Sequence, residues 1–260
     1  MKSLSILFIL IALVASFAQA ANEPEDSLVL YMSFDTVDGK NTIDHSKYEN
    51  HGEMMGDPEL VDGKFGKALK FNGVSEFVEI PHHESLTVDQ DVTVMAWIHT
   101  KRHTGPDNAR WQGIIAKGNN PRSYSLWTDA DNKCLHFSVG PPQGGGSVCK
   151  GEVKLNEWQH VVAQVNNGTH RYWINGQKVG EFGNKPNPPG LEDISPVVIG
   201  TAGGGNQRYF LGMIDEVRIW NRALSEEEIN KHKDKGHFEF FAVDPQHKLT
   251  TTWGNLKIKH

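Results

Sequence analysis

Acidic residues near the end of the chain are the first candidates for chemistry. In the segment GMIDEVRIW (212–220), strand alternation places Asp215 on the same side as apolar Val217 and Ile219. A carboxylate on an inward face is costly unless it is hydrogen-bonded or bound to a cation. Two interpretations of Asp215 follow. It accepts backbone N–H bonds, or it is a hard oxygen ligand for a cation such as Ca²⁺.

Catalysis of glycoside hydrolysis needs two carboxylates that flank the bond. An alternating E-x-D-x-E pattern would place three acids on one strand face, and the sequence does not contain it. Asp215 and Glu216 are adjacent and should diverge, with Glu216 paired with Arg218 at the surface, where such a pair contributes little. The sequence therefore predicts no catalytic residues, although carboxylates from separate strands leave a glycoside hydrolase open as an alternative.

Aromatic and polar residues in the middle of the chain suit a sugar. Rings stack on sugars, and a few polar groups fix the orientation of a ligand. We expect a glycan-facing rim that comprises Trp111, Asn119, Arg122, Tyr124 and Trp127. The alternative is that Tyr124 and Trp127 are simply packed in the core. Zinc and phosphate sites are disfavoured, because the chain lacks H-E-x-x-H and a glycine-rich loop that opens a helix.

The two cysteines, Cys134 and Cys149, flank the turn-rich segment GPPQGGG. A hairpin around this segment would bring the two cysteines opposite each other, at a separation that suits a disulfide. An even number of cysteines in an exported chain favours such a bridge, and two free thiols are the alternative.

The first twenty residues are typical of a secretory signal. A short charged start precedes LSILFILIALVASF, and AQA at 18–20 is a small-x-small cleavage site. We expect cleavage after residue 20 and a secreted, periplasmic or cell-surface protein, without membrane insertion of the mature chain. An uncleaved membrane anchor is the alternative. The formal net charge of −6 argues against nucleic acid as a partner.

Most of the secondary structure that the sequence predicts consists of strands. About a dozen short alternating segments with Gly, Pro and Asn turns predict an all-β sandwich or barrel. Asn175-Gly176 predicts a tight hairpin, and VTVMAWIH (92–99) predicts a strand that is apolar on both faces and hence central. Ser225 predicts the N-cap of a helix that reaches residue 233. We interpret 26–235 as one domain and 236–260 as a C-terminal extension.

Six segments occur in a characteristic order: LVLYMSFD, GKFGKALKFNGVSEFVEIP, VTVMAWI, EWQHVVAQV, YWINGQKVG and GMIDEVRIWNRALSEEEI. This ordered set resembles the laminin-G-like, concanavalin A-like jelly-roll family of secreted bacterial proteins. The resemblance covers about 27–235. It implies a two-sheet antiparallel β-sandwich with one short C-terminal helix, and a ligand on the concave face or on the rim loops.

The resemblance also implies a structural Ca²⁺ that ties the first strand to the last. The ligands would be Asp35, the Asn72-Gly73 turn and Asp215. Asn72 departs from the family, which often has Asp at this position.

The resemblance and the residues together predict an exported, non-catalytic module that binds a carbohydrate or a glycoprotein and carries structural calcium. The alternatives are an adhesive or structural exported protein without a small ligand, and a glycoside hydrolase. A fold of this kind does not by itself decide between them.

Overall fold

The computed structural model describes residues 25–105, 109–119, 121–140, 148–190, 193–202 and 208–240. The predicted signal peptide (1–20) and residues 241–260 of the predicted extension lie outside these ranges. The described residues belong to one compact unit, Pro24–Phe240. Their helices are all too short or too polar to span a bilayer. The predicted domain limits at 26 and 235 stay predictions.

The fold is all-β, as the sequence predicts, and the described residues form sixteen strands that pair antiparallel. The hydrogen-bonded path runs in the order β11 (Val148–Lys150), β10 (Cys134–Gly140), β9 (Arg122–Asp129), β8 (Trp111–Gly118), β15 (Val197–Ile199), β6 (Phe77–Ile80), β3 (Gly52–Met55), β2 (Asn41–Asp44), β1 (Leu28–Asp38), β16 (Leu211–Trp220), β7 (Val92–Thr100), β12 (Trp158–Asn166), β13 (Thr169–Ile174) and β14 (Gln177–Phe182). Outside this path, β4 (Glu59–Asp62) pairs with β5 (Lys67–Asn72), which pairs with β16.

The two ends of this path approach each other. The Tyr172 hydroxyl on β13 donates a hydrogen bond of 3.1 Å to the Val148 carbonyl on β11. Because one continuous path joins the strands, the division into two sheets stays a prediction.

Strand β7 is central, as predicted from its two apolar faces. It lies between β16 and β12. Val94 and Ile98 belong to the main core cluster, and Met95 and Trp97 on the opposite face are buried as well. The predicted hairpin is also confirmed, because Asn175 and Gly176 connect β13 to β14 with φ of 52° and 80°.

The predicted helix forms as α1 (Glu226–Lys233). Ser225 is its N-cap and makes a capping box with Glu228. Two shorter pieces that the sequence did not indicate are a 3₁₀ turn (Glu84–Leu86) and α2 (His237–Phe240).

A β-bulge in β16 changes which face Asp215 occupies. Ile214 and Val217 both belong to the main core although they are three residues apart. The register against β7 shifts between Asp215 and Arg218, and Glu216 has a φ of 53°. Asp215 pairs with Trp97, on the face turned away from the main core. The prediction that Asp215 shares a face with Val217 and Ile219 is therefore wrong.

Glu216 and Arg218 are buried as well, so the prediction of a surface pair is wrong. Each is 1% exposed, and they form an ion pair. The Arg218 guanidinium also donates to the carbonyls of His232, at 3.0 Å, and Lys235, at 2.7 Å. These bonds attach the end of α1 to this face of β16.

Candidate functional site

A cavity of about 390 Å³ lies on strands β8 to β11. Its volume falls in the range of small-molecule sites. The residues that line it are Arg110, Trp111, Arg122, Trp127, Asp129, His136, Val148, Cys149 and Arg208.

Strand alternation explains which residues of β9 reach the cavity. Tyr124 and Leu126 belong to the main core, so Trp127 and Asp129 point to the other face. In the antiparallel register, Trp127 is opposite His136 on β10, and Asp129 is opposite Trp111 on β8. The cavity therefore lies on the side of the strands that faces away from the main core.

Gly113 allows a distant segment to reach the cavity. It is opposite Trp127 in the β8–β9 pair. A Cβ at Gly113 would lie 2.2 Å from the Thr201 carbonyl oxygen, so any larger residue would push this segment away. The Gly113 N–H donates to the Arg208 carbonyl at 2.8 Å. This close approach holds Arg208 next to Trp127.

Arg110 and Asp129 form a bidentate ion pair at the edge of the cavity. The two hydrogen bonds measure 2.8 Å (Nε to Oδ1) and 2.7 Å (Nη2 to Oδ2). Burial would raise the pKa of Asp129, but hydrogen bonds from Arg110 and Asn132 outweigh burial and hold that pKa below its usual value. The charges of Arg110 and Asp129 therefore compensate each other.

Trp111 and His136 form the aromatic part of the lining. Trp111 is half-buried, and its ring centroid lies 4.4 Å from that of His136. Burial lowers the pKa of His136 to about 4, an effect that the three cavity arginines strengthen and Asp129 opposes. His136 is therefore neutral at physiological pH and adds no charge to the cavity.

Two further arginines lie over the Trp127 ring. The guanidinium carbons of Arg208 and Arg122 are 4.8 Å and 5.1 Å from its centroid, within the range of cation–π contacts. Trp127 itself is 2% exposed, and its indole N–H has no hydrogen-bond partner among the described residues.

Three of the five predicted rim residues line this cavity: Trp111, Arg122 and Trp127. Tyr124 does not, because it is fully buried in the main core and its hydroxyl donates to the Leu86 carbonyl at 3.1 Å. Asn119 is half-buried and lies outside the lining. For Tyr124 the packing alternative holds.

Four charged or histidine side chains of the cavity were not predicted from the sequence, and these are Arg110, Asp129, His136 and Arg208. Alternation from Trp127 could have found Asp129, and hairpin pairing could have found His136. Arg208 comes from a segment about eighty positions from β9, so no local pattern indicates it.

The predicted disulfide is confirmed, and Cys134 and Cys149 have Cα atoms 5.8 Å apart on the paired strands β10 and β11. The two are not directly opposite as expected, because Cys149 pairs with His136. Asp129 lies near both sulfurs, but sulfurs joined in a disulfide provide no thiolate for a metal.

Two of the four predicted calcium ligands, Asp35 and Asp215, accept hydrogen bonds from the same turn, 63–67. Asp215 Oδ2 accepts the N–H groups of Lys64, at 2.8 Å, and Phe65, at 3.0 Å. Asp35 Oδ1 accepts the N–H of Lys67 at 2.7 Å. Burial, with the charges of Glu216 and Asp35, raises the pKa of Asp215 to about 8. Asp215 Oδ1 is buried and has no hydrogen-bond partner among the described residues.

The other two predicted ligands are used elsewhere. Asn72 Oδ1 accepts the N–H groups of Val74 and Ser75, and the Gly73 carbonyl accepts Arg102 at 2.9 Å. Asn72 pairs with Leu211, four residues before Asp215 on β16, which corresponds to roughly 13 Å along the strand. The structure therefore brings Asp35 and Asp215 to one turn and leaves Asn72 and Gly73 outside it.

The sequence from residue 72 to 230 matches the model of a laminin G family described as "Concanavalin A-like lectin/glucanases superfamily". The match covers more than half of the chain, and the chain belongs to this superfamily. No curated protein matches the chain in sequence.

Solved structures share the fold at low identity. The binding domain of Paraclostridial Mosquitocidal Protein 1 is 19% identical with a TM-score of 0.64, over 80% of this chain and 52% of that chain. Domain 4 of AbnA, an arabinanase from Geobacillus stearothermophilus, is 20% identical with a TM-score of 0.63, over 80% of this chain and 98% of that domain. Trypanosoma rangeli sialidase is 17% identical with a TM-score of 0.61, over 78% of this chain and 32% of the sialidase. The chain thus spans about half of the toxin chain and about a third of the sialidase.

Proposed function

We propose that the protein is an exported, non-catalytic module that binds a carbohydrate or a glycoprotein, and that the cavity on β8 to β11 is its binding site. The observation that carries the proposal is the composition of this cavity. It combines a half-buried tryptophan, Trp111, with side chains that can donate hydrogen bonds, in a volume of about 390 Å³. An indole face against a sugar ring, with polar groups around it, is a suitable arrangement for a saccharide.

Two structures of the same fold support a saccharide ligand. Domain 4 of AbnA was solved in complex with arabinotriose. Botulinum neurotoxin type C, whose structure is 16% identical with a TM-score of 0.61, depends on interaction with two ganglioside molecules for cell entry. These likenesses support the proposal at the level of the fold, and the ligand must be decided by the cavity itself.

The acids of the cavity support binding rather than hydrolysis. Among the described residues that line it, Asp129 is the only carboxylate, and Arg110 already neutralises it. A glycosidase needs two carboxylates on either side of the bond. Asp215 and Glu216 are buried on β16 and do not line this cavity.

We further propose export and a structural calcium ion on a two-sheet jelly roll. The disulfide suits an oxidising compartment. For the metal, Asp35 and the unpaired Oδ1 of Asp215 fit as hard oxygen ligands beside the turn 63–67. Gly66 gives this turn room, because a Cβ there would clash with the Asp35 carboxylate. Asn72 and Gly73 do not fit, and the proposal omits them.

The first prediction tests the cavity with a glycan array and with calorimetry on the best ligand. We expect the wild type to bind at least one saccharide and Trp111→Ala to lose about tenfold or more in affinity, since stacking on an aromatic ring is removed. Trp158→Ala is the matched control, because Trp158 is also half-buried but packs against His99, outside the cavity lining.

Each outcome of this test separates the alternatives. An array without any bound saccharide would favour an adhesive or structural protein. Release of reducing ends from polysaccharides would favour a hydrolase. Equal losses in Trp111→Ala and Trp158→Ala would place the site elsewhere.

A further inference from the structure

The cavity contains two guanidinium groups that do not pair with a carboxylate among the described residues, while Arg110 pairs with both Asp129 and Asp131. Among the described residues, three guanidinium groups line the cavity, and Asp129 provides the single lining carboxylate. Asp129 is paired with Arg110 through two short hydrogen bonds. Arg122 and Arg208 have no carboxylate partner among the described residues. Two cations therefore share one small cavity, in a chain whose formal net charge is −6.

Arg122 is the more deeply placed of these two cations. It is 7% exposed, and one of its terminal nitrogens donates to the Ser138 hydroxyl at 2.9 Å. Its Nε has no hydrogen-bond partner among the described residues. Burial and the neighbouring charge of Arg208 lower the pKa of Arg122 to about 10. A buried cation with an unused donor is unfavourable by itself, and an anion that accepts this donor would relieve the cost.

Arg208 contributes the second charge from another part of the chain. The Gly113 contact positions its backbone, and its guanidinium lies 4.8 Å from the Trp127 centroid, as described above. Burial also lowers its pKa. Planar guanidinium groups pair with carboxylate and sulfate oxygens through parallel hydrogen bonds. The guanidinium groups of Arg122 and Arg208 both line the cavity and can offer such hydrogen bonds to a small anionic group.

The aromatic part of the cavity lies beside these two guanidinium groups. The Trp111 ring packs edge-on against Trp127, with 6.4 Å between the ring centroids and an angle of 74°. Trp111 is also the more exposed of the two rings. The Arg110 guanidinium lies over the Trp111 ring, 4.4 Å from its centroid, so a ligand with an anionic group near Arg122 and Arg208 would place its adjoining ring on the part of Trp111 that Arg110 leaves accessible.

We propose that this cavity selects an acidic saccharide, whose carboxylate or sulfate group is held by Arg122 and Arg208 and whose sugar ring packs on Trp111. The inference rests on the proposed carbohydrate-binding function and adds the charge class of the ligand. A nucleic acid suits the site less, because a long polyanion would meet the overall negative charge of the protein outside the cavity.

The test compares each acidic oligosaccharide with its neutral twin, by which we mean the same oligosaccharide without the charged group. The probes are oligogalacturonate and oligoglucuronate, each beside its carboxyl-reduced form, and a sulfated galactan oligosaccharide beside its desulfated form. Calorimetry at about 50 mM and about 500 mM NaCl measures each affinity. We expect at least one acidic member to bind about tenfold or more tightly than its twin, and this preference to shrink at high salt. The carboxylated and sulfated probes distinguish the two sources of the anion.

Variants assign this preference to the two arginines. Arg122→Gln and Arg208→Gln should each weaken the acidic ligand by about ten- to a hundredfold, the range for loss of one charge-assisted hydrogen bond, and should change the neutral twin much less. Arg171→Gln is the matched control, because Arg171 pairs with Glu181 outside the cavity. A melting curve for each variant shows whether it is folded. If Arg122→Gln does not fold, Arg208→Gln alone tests the role of the arginines.

The outcomes distinguish this inference from the proposed function. Equal affinity for acidic and neutral twins, or an acidic preference that survives both cavity variants, overturns the inference and leaves carbohydrate binding intact. Binding of inorganic sulfate, acetate or single-stranded DNA as tightly as of the oligosaccharides overturns it as well. Failure of acidic and neutral saccharides alike rejects the proposed function together with the inference.

Discussion

The two carboxylate oxygens of Asp215 have different surroundings. Oδ2 accepts two backbone N–H groups from the turn at Lys64 and Phe65, whereas Oδ1 is buried without a partner among the described residues. The first interpretation of this residue, backbone acceptance, therefore accounts for one oxygen. An unsatisfied buried acceptor is uncommon and calls for a partner, and the proposed calcium ion would provide one.

The calcium proposal predicts a change in thermal stability. In wild type, excess Ca²⁺ should raise the melting temperature above that in chelator, since a ligand bound only by the native state stabilises it by about 2.7 kcal/mol at a hundredfold excess over Kd. Asp215→Asn and Asp35→Asn should lose this response. They should still fold, because an amide oxygen can accept the same backbone N–H groups.

Asp57→Asn is the matched control for these variants. Asp57 is an exposed acid, and its pairing with Lys40 is solvated. The melting temperature of Asp57→Asn should rise with Ca²⁺ as that of wild type does. A wild-type melting curve that is identical in Ca²⁺ and in chelator would mean that Asp215 serves only as an acceptor for the backbone.

At the scale of elements, the C-terminal helices are attached to β16 and β7 by buried polar groups. Arg218 donates to the carbonyls of His232 and Lys235, and the Trp97 indole N–H donates to the Lys233 carbonyl at 3.2 Å. His232 also lies between the rings of Trp220 and Phe240, with centroid distances of 5.0 Å and 5.3 Å. The helical segment is therefore packed by aromatic rings and by hydrogen bonds to its carbonyl groups.

This packing predicts a loss of stability in acid. Burial, with the charges of Arg218 and Lys231, lowers the pKa of His232 to about 3. The unfolded chain, with a pKa near about 6.5, takes up the proton first, so the stabilisation is complete above about pH 6.5 and is lost as the pH falls toward about 3. At about pH 5 the loss reaches up to about 2 kcal/mol. Urea unfolding at about pH 7 and about pH 5 measures the total loss, to which His136 also contributes because its pKa is lowered to about 4.

His232→Phe keeps a ring against Trp220 and Phe240 and removes the titration. Its stability at neutral pH should stay near that of wild type, and its loss on acidification to about pH 5 should be smaller. Parallel pH profiles for the two proteins would show that His232 is not the group that titrates.

Some local structures could be predicted from the sequence and others could not. Ser225 and Asn175-Gly176 are read correctly, because a cap and a type I′ turn depend on residues next to each other in the chain. The bulge at Glu216 is not, since Glu216 is a residue that seldom adopts positive φ and no glycine marks the position. One extra residue there reverses the face of Asp215.

The cavity residues likewise fall into those that the sequence indicates and those that it does not. Trp111, Arg122 and Trp127 were predicted from residue type, as aromatic and polar groups that suit a sugar, and the structure places them on the paired strands β8 and β9. Tyr124 was misplaced because one step of alternation separates core from cavity on β9. Arg208 reaches Trp127 only through the close approach at Gly113, which depends on tertiary structure.

At the scale of the whole molecule, the cavity lies at one end of the strand path. Its last strand, β11, has three residues and contributes Val148 and Cys149 to the lining. So short a strand has few ladder hydrogen bonds of its own. The disulfide to Cys134 and the Tyr172 hydrogen bond to Val148 hold it in place. The integrity of the binding site should therefore depend on the disulfide.

The disulfide prediction joins stability to binding. The cysteines are separated by 15 positions, and in the chain-entropy model a loop of this size contributes about 3 kcal/mol to stability. Cys134→Ser/Cys149→Ser should lose stability of this order, and wild type reduced and alkylated under native conditions should lose a similar amount. Both should also bind the cavity ligand more weakly, because β11 carries part of the lining.

Urea unfolding and calorimetry measure the two effects, and thiol titration of unfolded, unreduced wild type should find no free thiol. Undiminished stability and affinity in the double variant would show that β11 is held by its other contacts alone.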